Sequence, residues 1–316
     1  MLTVAEEWLN ACSGCEVALL NLGEALLDLL PHLNFVHIPV LAVNKYYGSR
    51  GEGTTMNLPE ADVGIISGGV RNSEHLEVLR LMRSKVRVLV ALGTCAATGG
   101  LPGLANICGT RAVEEASFVT APSLAAGKHV QPDPAAHNIP RLLPHCTPLS
   151  AHVAVDLVLP GCPPHPDWIA EALTALLQGR PAALPDRSVC STCPTRRLGR
   201  SGSERGRIKR LLEQPEYDAD KPLSAMRCLL EQGFLCMGPV TLAGCGGKCR
   251  PPKCIAARTP CSGCQGPLQH GALPFADYMG ALAAVGINGA AMPDKPGYLS
   301  RYHSAQLELL NLLEDK

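Results

Sequence analysis

The clearest structural signal in the chain lies in Val86-Arg-Val-Leu-Val-Ala-Leu-Gly-Thr-Cys95. Its apolar run is short, rich in Val and Leu, and ends at a glycine, which is typical of a buried strand closed by a tight turn. Comparable runs alternate with helical patterns: strands at Phe35–Val43, Asp62–Ser67 and Val153–Leu159, helices at Glu16–Leu30, Ser73–Ser84 and Pro166–Gln178. The alternation predicts an α/β fold whose parallel sheet is buried on both faces by helical crossovers.

Length and composition limit the class of protein. The 316 residues exceed what one hydrophobic core usually supports, so we expect two domains. Lys+Arg and Asp+Glu both number 28, and 46% of residues are hydrophobic, which argues against nucleic-acid binding and against disorder. No apolar run reaches the roughly 18 residues of a membrane span, and no export signal is visible. The sequence therefore predicts a cytoplasmic protein without a direct membrane span.

The composition changes near residue 180, where a Pro-rich loop begins. We predict one α/β domain over residues 1–180 and a second, irregular domain over 181–316. Ser224–Pro267 holds seven cysteines among glycines and prolines, with too little apolar content for a core of its own, and metal binding would supply the missing stability. The basic segment Arg196–Arg210 is either a solvated connector or a partner-docking strip.

Fifteen cysteines, an odd number without a secretion signal, indicate metal binding rather than a disulfide framework. A first group comprises Cys12-Ser-Gly-Cys15, Gly93-Thr-Cys95 and Pro160-Gly-Cys162, each in a Gly- or Pro-framed turn. Because the strand ends of one parallel sheet converge, four thiolates can face a single point. That set suits a four-iron cluster or a structural zinc ion. The alternative is one redox Cys-x-x-Cys motif with two buried thiols.

The remaining clustered cysteines supply two more sets of four, with one to spare: Cys190, Cys193, Cys228 and Cys236, then Cys245, Cys249, Cys254, Cys261 and Cys264. Zinc would satisfy these ligand counts as well as iron does. A row of iron–sulfur clusters, however, gives a reason for three such sites in one chain, because electrons hop between neighbouring centres. Cys108 and Cys146 have no partner at ligand spacing, and we interpret them as buried or incidental thiols.

Five ordered motifs resemble the small subunit of nickel–iron hydrogenases, in particular the cytosolic methyl-viologen-reducing type that is linked to heterodisulfide reductase. They are Trp8–Glu16, Gly93–Gly100, Leu159–Pro164, Cys228–Thr241 and Pro260–Pro267. The resemblance implies a flavodoxin-like, doubly wound parallel sheet, followed by a smaller and irregular cysteine-rich iron–sulfur domain.

The same resemblance implies three 4Fe–4S clusters. The proximal cluster would bind Cys12, Cys15, Cys95 and Cys162, and the distal cluster Cys190, Cys193, Cys228 and Cys236. The medial cluster would bind Cys245, Cys261, Cys264 and either Cys249 or Cys254, and the Gly-Cys-Gly-x-x-Cys flank favours Cys249. Glu16 is either a proton-relaying carboxylate or an ordinary acid of a first helical turn.

The implied function is electron transfer from H2 oxidation to a partner protein. This chain lacks the paired Cys-x-x-Cys motifs that hold nickel and iron, so the catalytic site would lie on a large subunit. The electron acceptor would be an iron–sulfur or flavin protein, such as a heterodisulfide reductase. Two alternatives remain: a quinone-reductase cluster subunit of the complex I type, and a non-redox zinc-binding interaction module.

Overall fold

The computed structural model describes residues 1–39, 41–47, 52–53, 55–124, 139–199, 208–209, 213–268 and 273–302. The chain forms two compact units, of which Met1–Cys162 makes up most of the first and Pro163–His303 makes up the second. The predicted boundary at residue 180 falls after the helix Pro166–Gln178, which the structure groups with the second unit. Most of the basic segment Arg196–Arg210 lies outside the described residues.

The first unit is built on a five-stranded parallel sheet of order β2-β1-β3-β5-β7. Its strands are β1 (Leu2–Trp8), β2 (Leu33–His37), β3 (Ala61–Ser67), β5 (Val86–Leu92) and β7 (Leu157–Leu159). A separate antiparallel pair is formed by β4 (Val70–Asn72) and β6 (Leu142–Thr147). Counting only the parallel strands, the order is 2-1-3-4-5, which is that of the flavodoxin-like fold.

Helices cross between these strands. In the first unit they are α1 (Gly14–Leu20), α2 (Glu24–Leu29), α3 (Ser73–Lys85), α4 (Gly93–Thr98), α5 (Ala105–Cys108) and α6 (Thr110–Phe118). Helix α3 begins where the side chain of Asn72 caps the backbone N–H of His75 at 2.8 Å. The core comprises apolar side chains of β3, α3 and β5, among them Ile66, Leu79 and Leu89, which are fully buried.

Several elements differ from the sequence prediction. The strand predicted over Val153–Leu159 is limited to Leu157–Leu159. Strand β1 was not among the predicted strands, because Glu6 and Glu7 interrupt its apolar pattern. The predicted helix over residues 16–30 is two helices, since Gly23 turns the chain with a φ of +59° that L-residues avoid. Strand β2 ends at His37 instead of continuing to Val43.

The second unit contains little regular structure, as predicted. Its helices are α7 (Pro166–Gln178), α8 (Val189–Thr192), α9 (Lys253–Ala256), α10 (Pro274–Ala284) and α11 (Lys295–Ser300). A core does form here, around the buried side chains of Met237, Tyr278 and Leu282. No helix among the described residues is long and apolar enough to cross a membrane.

Candidate functional site

Four parallel strands of the first unit end in one row. The register pairs Trp8 with Ser67, Ser67 with Leu92, and Leu92 with Leu159. The segments that follow these residues therefore leave the sheet at the same carboxyl edge, where ligands of open α/β sheets bind. Three of the four strands lead directly into the cysteine motifs predicted from the sequence.

Backbone hydrogen bonds join the segment just before Cys12 to the turn that follows β3. Asn10 donates its N–H to the carbonyl of Gly69 at 3.1 Å, and Gly69 donates back to Asn10 at 3.2 Å. Cys12 follows in an exposed bend, and Cys15 is buried in the first turn of α1. The two thiols of this motif consequently start from a fixed position at the sheet edge.

The turns that carry Cys95 and Cys162 are bonded to each other. The N–H of Thr94 donates to the carbonyl of Gly161 at 2.8 Å, and the N–H of Gly161 donates to Thr94 Oγ1 at 2.9 Å. Gly93 has a φ of +86°, and a Cβ built on it would overlap the sulfur of Cys15. The three segments thus meet so closely that only a glycine fits between two of them.

The electrostatics of these thiols show that the four cysteines of the predicted proximal set are neighbours. Burial raises the pKa of Cys15, and the negative charges of Glu16, Cys95, Cys162 and Cys12 raise it further. Burial and the thiolates of Cys162 and Cys12 raise the pKa of Cys95 to about 12. Burial and Cys12 also raise the pKa of Cys162.

Burial and mutual repulsion favour the uncharged thiol form of Cys15, Cys95 and Cys162. Metal ligation requires the thiolate form, so a cation at this site would stabilise the set. No three Cys, His, Asp or Glu side chains within the described ranges lie close enough to hold one shared metal ion. A four-iron cluster, which takes one thiolate at each corner, fits this donor set.

Acidic side chains accompany this site, and the sequence indicated only one of them. Glu16 is 3% exposed, and the hydroxyl of Ser67 donates to its carboxylate, so it is not an ordinary solvated acid of a first helical turn. Glu6 and Glu7 are also buried, inside β1. Neighbouring residues of a strand point to opposite faces, so both faces of the sheet hold a carboxyl group here.

The predicted distal set also comes together, inside the second unit. Burial raises the pKa of Cys190 to about 11 despite the opposing charge of Arg197, and the thiolates of Cys228 and Cys193 contribute to the rise. Burial, Cys190 and Cys228 raise the pKa of Cys236 to about 12, although backbone N–H groups act in the opposite direction. The four thiols accordingly interact with one another.

The predicted medial set includes Cys245, Cys261 and Cys264. Its fourth member was left open between Cys249 and Cys254. Burial raises the pKa of Cys245, and the thiolate of Cys254 adds to the rise. Burial also raises the pKa of Cys261, with further contributions from Cys236, Cys264 and Cys254. Cys249 is exposed and lies on the wall of a cavity of about 780 Å³. The geometry therefore favours Cys254 over Cys249, which the sequence pattern favoured.

Helix α7 holds the loop that carries Cys245. The indole Nε1 of Trp168 donates to the carbonyl of Gly244 at 2.8 Å, and the N–H of Lys248 donates to Asp167 Oδ2 at 2.9 Å. His165 caps the start of the helix by accepting from the N–H of Asp167 at 3.2 Å. The first turn of α7 is thus a support for the medial set, which explains why α7 belongs to the second unit.

The two cysteines interpreted as incidental differ in position. Cys108 is exposed at the end of α5. Cys146 is fully buried in β6, accepts a weak hydrogen bond from Asn10 Nδ2 at 3.7 Å, and raises the pKa of Cys95 as a minor contribution after burial and two nearer thiolates. Cys146 therefore lies beside the proximal set, and nothing in its sequence spacing indicated that.

The chain matches one known protein family and is similar over most of its length to subunits of known enzymes. Residues 12–176 match the protein family described as NADH ubiquinone oxidoreductase, 20 Kd subunit. The chain is 34% identical over 295 residues to a subunit of the vhu F420-non-reducing hydrogenase of Methanocaldococcus jannaschii, covering 93% of this chain and 92% of the relative. It is 33% identical over 301 residues to the iron-sulfur subunit of the F420-non-reducing hydrogenase of Archaeoglobus profundus, covering 90% of this chain and 87% of the relative.

A solved structure gives a matching backbone. A chain of an NAD+-reducing NiFe-hydrogenase in the H2-reduced state superposes with a TM-score of 0.52 and 36% sequence identity. The match covers 58% of this chain and 95% of that chain. The sequence relatives thus extend through both units, whereas this structural match covers little more than half of the chain.

Proposed function

Because the chain belongs to the NADH ubiquinone oxidoreductase 20 Kd subunit family and, within it, to the iron–sulfur small subunits of hydrogenases, we propose that it relays electrons from H2 oxidation through three 4Fe–4S clusters. The nickel–iron site lies on a large catalytic subunit. A second protein, an iron–sulfur or flavin protein of the heterodisulfide reductase kind, accepts the electrons.

The observation that carries this proposal is the meeting of Cys12, Cys15, Cys95 and Cys162 at the carboxyl edge of the sheet. A bound cluster would supply one-electron storage there. The chain's own residues hold the thiols in place, through the Thr94–Gly161 hydrogen bonds and the close approach at Gly93. Burial of these thiols would lower the local dielectric and tune the reduction potential.

Two further sets of thiols in the second unit support the count of three. We assign the distal cluster to Cys190, Cys193, Cys228 and Cys236, and the medial cluster to Cys245, Cys254, Cys261 and Cys264. The backbone N–H of Cys261 donates to the sulfur of Cys236 at 3.3 Å, so a residue of one set touches a ligand of the other. Such contact suits electron transfer between adjacent centres.

An apolar surface beside the proximal set supports the large-subunit partner. Trp8, Val17, Leu20, Leu101 and Ile107 are between 38% and 49% exposed, and all belong to segments at or after the carboxyl edge of the sheet. Val17 and Leu20 are three residues apart on α1 and share one face of that helix. Exposed apolar side chains grouped in this way mark protein–protein contacts. We propose that the large subunit covers them.

The complex I type of quinone-reductase subunit is the main rival, since its family name is the one matched by residues 12–176. The second unit argues against it, because it brings together two additional sets of cysteines for which that type has no use. A zinc-binding module is disfavoured by the hydrogenase relatives, whose similarity extends over both units. We also propose a cytoplasmic location, in keeping with the cytosolic hydrogenases that the chain resembles.

The test combines metal analysis with a matched pair of variants in the purified complex. Three sets of four thiols predict about twelve Fe and twelve sulfides per chain. Cys162→Ser should remove about four Fe and abolish H2-dependent dye reduction, whereas Cys108→Ser, an exposed thiol of the same unit, should change neither. Zinc in place of iron, or equal sensitivity of the two variants, would contradict the proposal.

A further inference from the structure

The buried acids of β1 and α1 form a group that electron relay alone does not explain. Glu6, Glu7 and Glu16 are each at most 3% exposed, and all lie in the first unit. No Lys or Arg side chain within the described ranges forms an ion pair with any of them, and the one basic partner is His37, which contacts Glu7. Three ionised carboxylates and one imidazolium would leave uncompensated buried charge, which is strongly unfavourable.

The contacts show which of the three carboxyl groups is left without compensation. Glu7 is paired with His37 and accepts a hydrogen bond from the hydroxyl of Tyr46 at 2.8 Å. Glu16 accepts a hydrogen bond from Ser67. Both carboxylate oxygens of Glu6, in contrast, have no hydrogen-bond partner within the described ranges. Glu6 is therefore the group that must carry a proton.

The charges facing Glu6 come from two elements. Glu16 on α1 and Glu7 on β1 itself both disfavour its ionised form, after burial, and together these raise its pKa to about 8. Beyond Glu7 lie His37 of β2, Tyr46 of the following loop and Glu74 of α3, which acts on Tyr46. Glu16 directly follows Cys15 in α1 and interacts with its thiol, so the carboxyl group of Glu6 is linked electrostatically to the proximal set through Glu16.

We propose that Glu6 is a redox-linked proton site: under alkaline conditions, where its carboxyl group is ionised in the oxidised protein, it binds one proton from water when one electron from H2 oxidation enters the proximal set of cysteines. The electron adds one negative charge at Cys12, Cys15, Cys95 and Cys162, and the new O–H bond on the Glu6 carboxylate compensates for it. This inference rests on the proximal cluster of the proposed function. It assigns to the chain a role in proton uptake beside its role in electron transfer.

The experiment is a redox titration of the proximal cluster in the purified hydrogenase complex, followed by electron paramagnetic resonance from about pH 6 to about pH 10. Its signal is identified as the one missing in Cys162→Ser. The potential should be constant below about pH 8, where Glu6 is protonated in both redox states. Above that pH it should fall by up to about 59 mV for each tenfold drop in proton concentration, the value for one proton per electron.

Two variants assign the effect. Glu6→Gln imitates the protonated acid and should make the potential independent of pH, while Glu60→Gln, an exposed carboxyl of the same unit, should leave the slope unchanged. Infrared difference spectra should also show a carboxylic-acid band that grows on reduction and is absent in Glu6→Gln. A flat potential in the unmodified complex, or a slope that persists in Glu6→Gln, would overturn the inference while leaving the electron relay intact. Absence of the signal itself would refute the relay, and the inference with it.

Discussion

Replacement of Gly93 by alanine should empty the proximal site without unfolding the chain. A Cβ at this position would lie well inside the 3.0 Å that real Cβ atoms keep from other heavy atoms, and the atom it meets is the sulfur of Cys15. Because non-bonded heavy atoms rest at about 3.5–4 Å, the sulfur would have to retreat by about 1 Å. Metal–ligand distances tolerate only about 0.2 Å. The displacement thus exceeds the tolerance about fivefold, and the cluster should be lost.

The strain of the backbone must be separated from this displacement, and Gly109 offers the matched control. Its φ is +77°, close to the +86° of Gly93, but a Cβ there meets nothing within 4 Å. Gly109 has a ψ of 157°, a backbone conformation that is nearly confined to glycine, so an alanine there costs about 1–3 kcal/mol in backbone strain alone. Only Gly93→Ala also displaces a thiol.

The assay is iron content and the electron paramagnetic resonance spectrum of the purified complex. Gly93→Ala should lose about four Fe per chain and all H2-dependent dye reduction. Gly109→Ala should keep both, with a lower melting temperature. Full iron content in Gly93→Ala would refute the close approach described here, and equal losses in the two variants would show that backbone strain alone is responsible.

Three further predictions address the other parts of the molecule. Cys254→Ser should lose about four Fe whereas Cys249→Ser should lose none, as measured by metal analysis; the reverse result would restore Cys249 as the medial ligand. The Glu6 pKa of about 8 lies above its ordinary value of 4.5, so this group's contribution to stability is full below pH 4.5 and is lost as the pH rises to about 8, by at most about 1.4 kcal/mol per pH unit. The melting temperature of the Glu6→Gln complex minus that of the unmodified complex should therefore increase from about pH 5 to about pH 8. A difference that stays constant over this range would argue against a buried neutral Glu6. Val17→Glu should abolish copurification with the large subunit while Leu27→Glu, equally apolar but on α2 toward the opposite edge of the sheet, should retain it; retention by both would move the interface elsewhere.

The sequence predicted correctly those elements whose buried positions are occupied by apolar residues. Helix α7 was predicted with the bounds that the structure shows, because Pro166 begins it and Gly179 ends it. Strand β1 was missed, although it is central to the sheet, because its two glutamates are absent from ordinary buried strands. The strand that the apolar pattern missed is therefore the one that carries Glu6, the proposed proton site.

The cysteine sets divide in the same way. Turns framed by Gly and Pro predicted the proximal and distal sets, and the parallel strand order explains why the segments of the proximal set approach one another. The choice between Cys249 and Cys254 depends instead on how the short helix α9 orients its residues, and spacing along the chain does not contain that information. The position of Cys146 beside Cys95 is likewise a product of the β4–β6 pairing, which sequence analysis did not predict.

The arrangement of the proximal ligands also sets an order of events during synthesis of the chain. All four belong to the first unit, and Cys162 is the last residue of that unit before the second begins. A ribosome must therefore translate all of residues 1–162, and the part of the second unit that fills its exit tunnel, before the site can close. Since domains tend to fold from the N-terminus as they emerge, we expect the proximal site to form before the second unit is complete. Metal loading should then be sequential and should begin at the site that Cys162 closes.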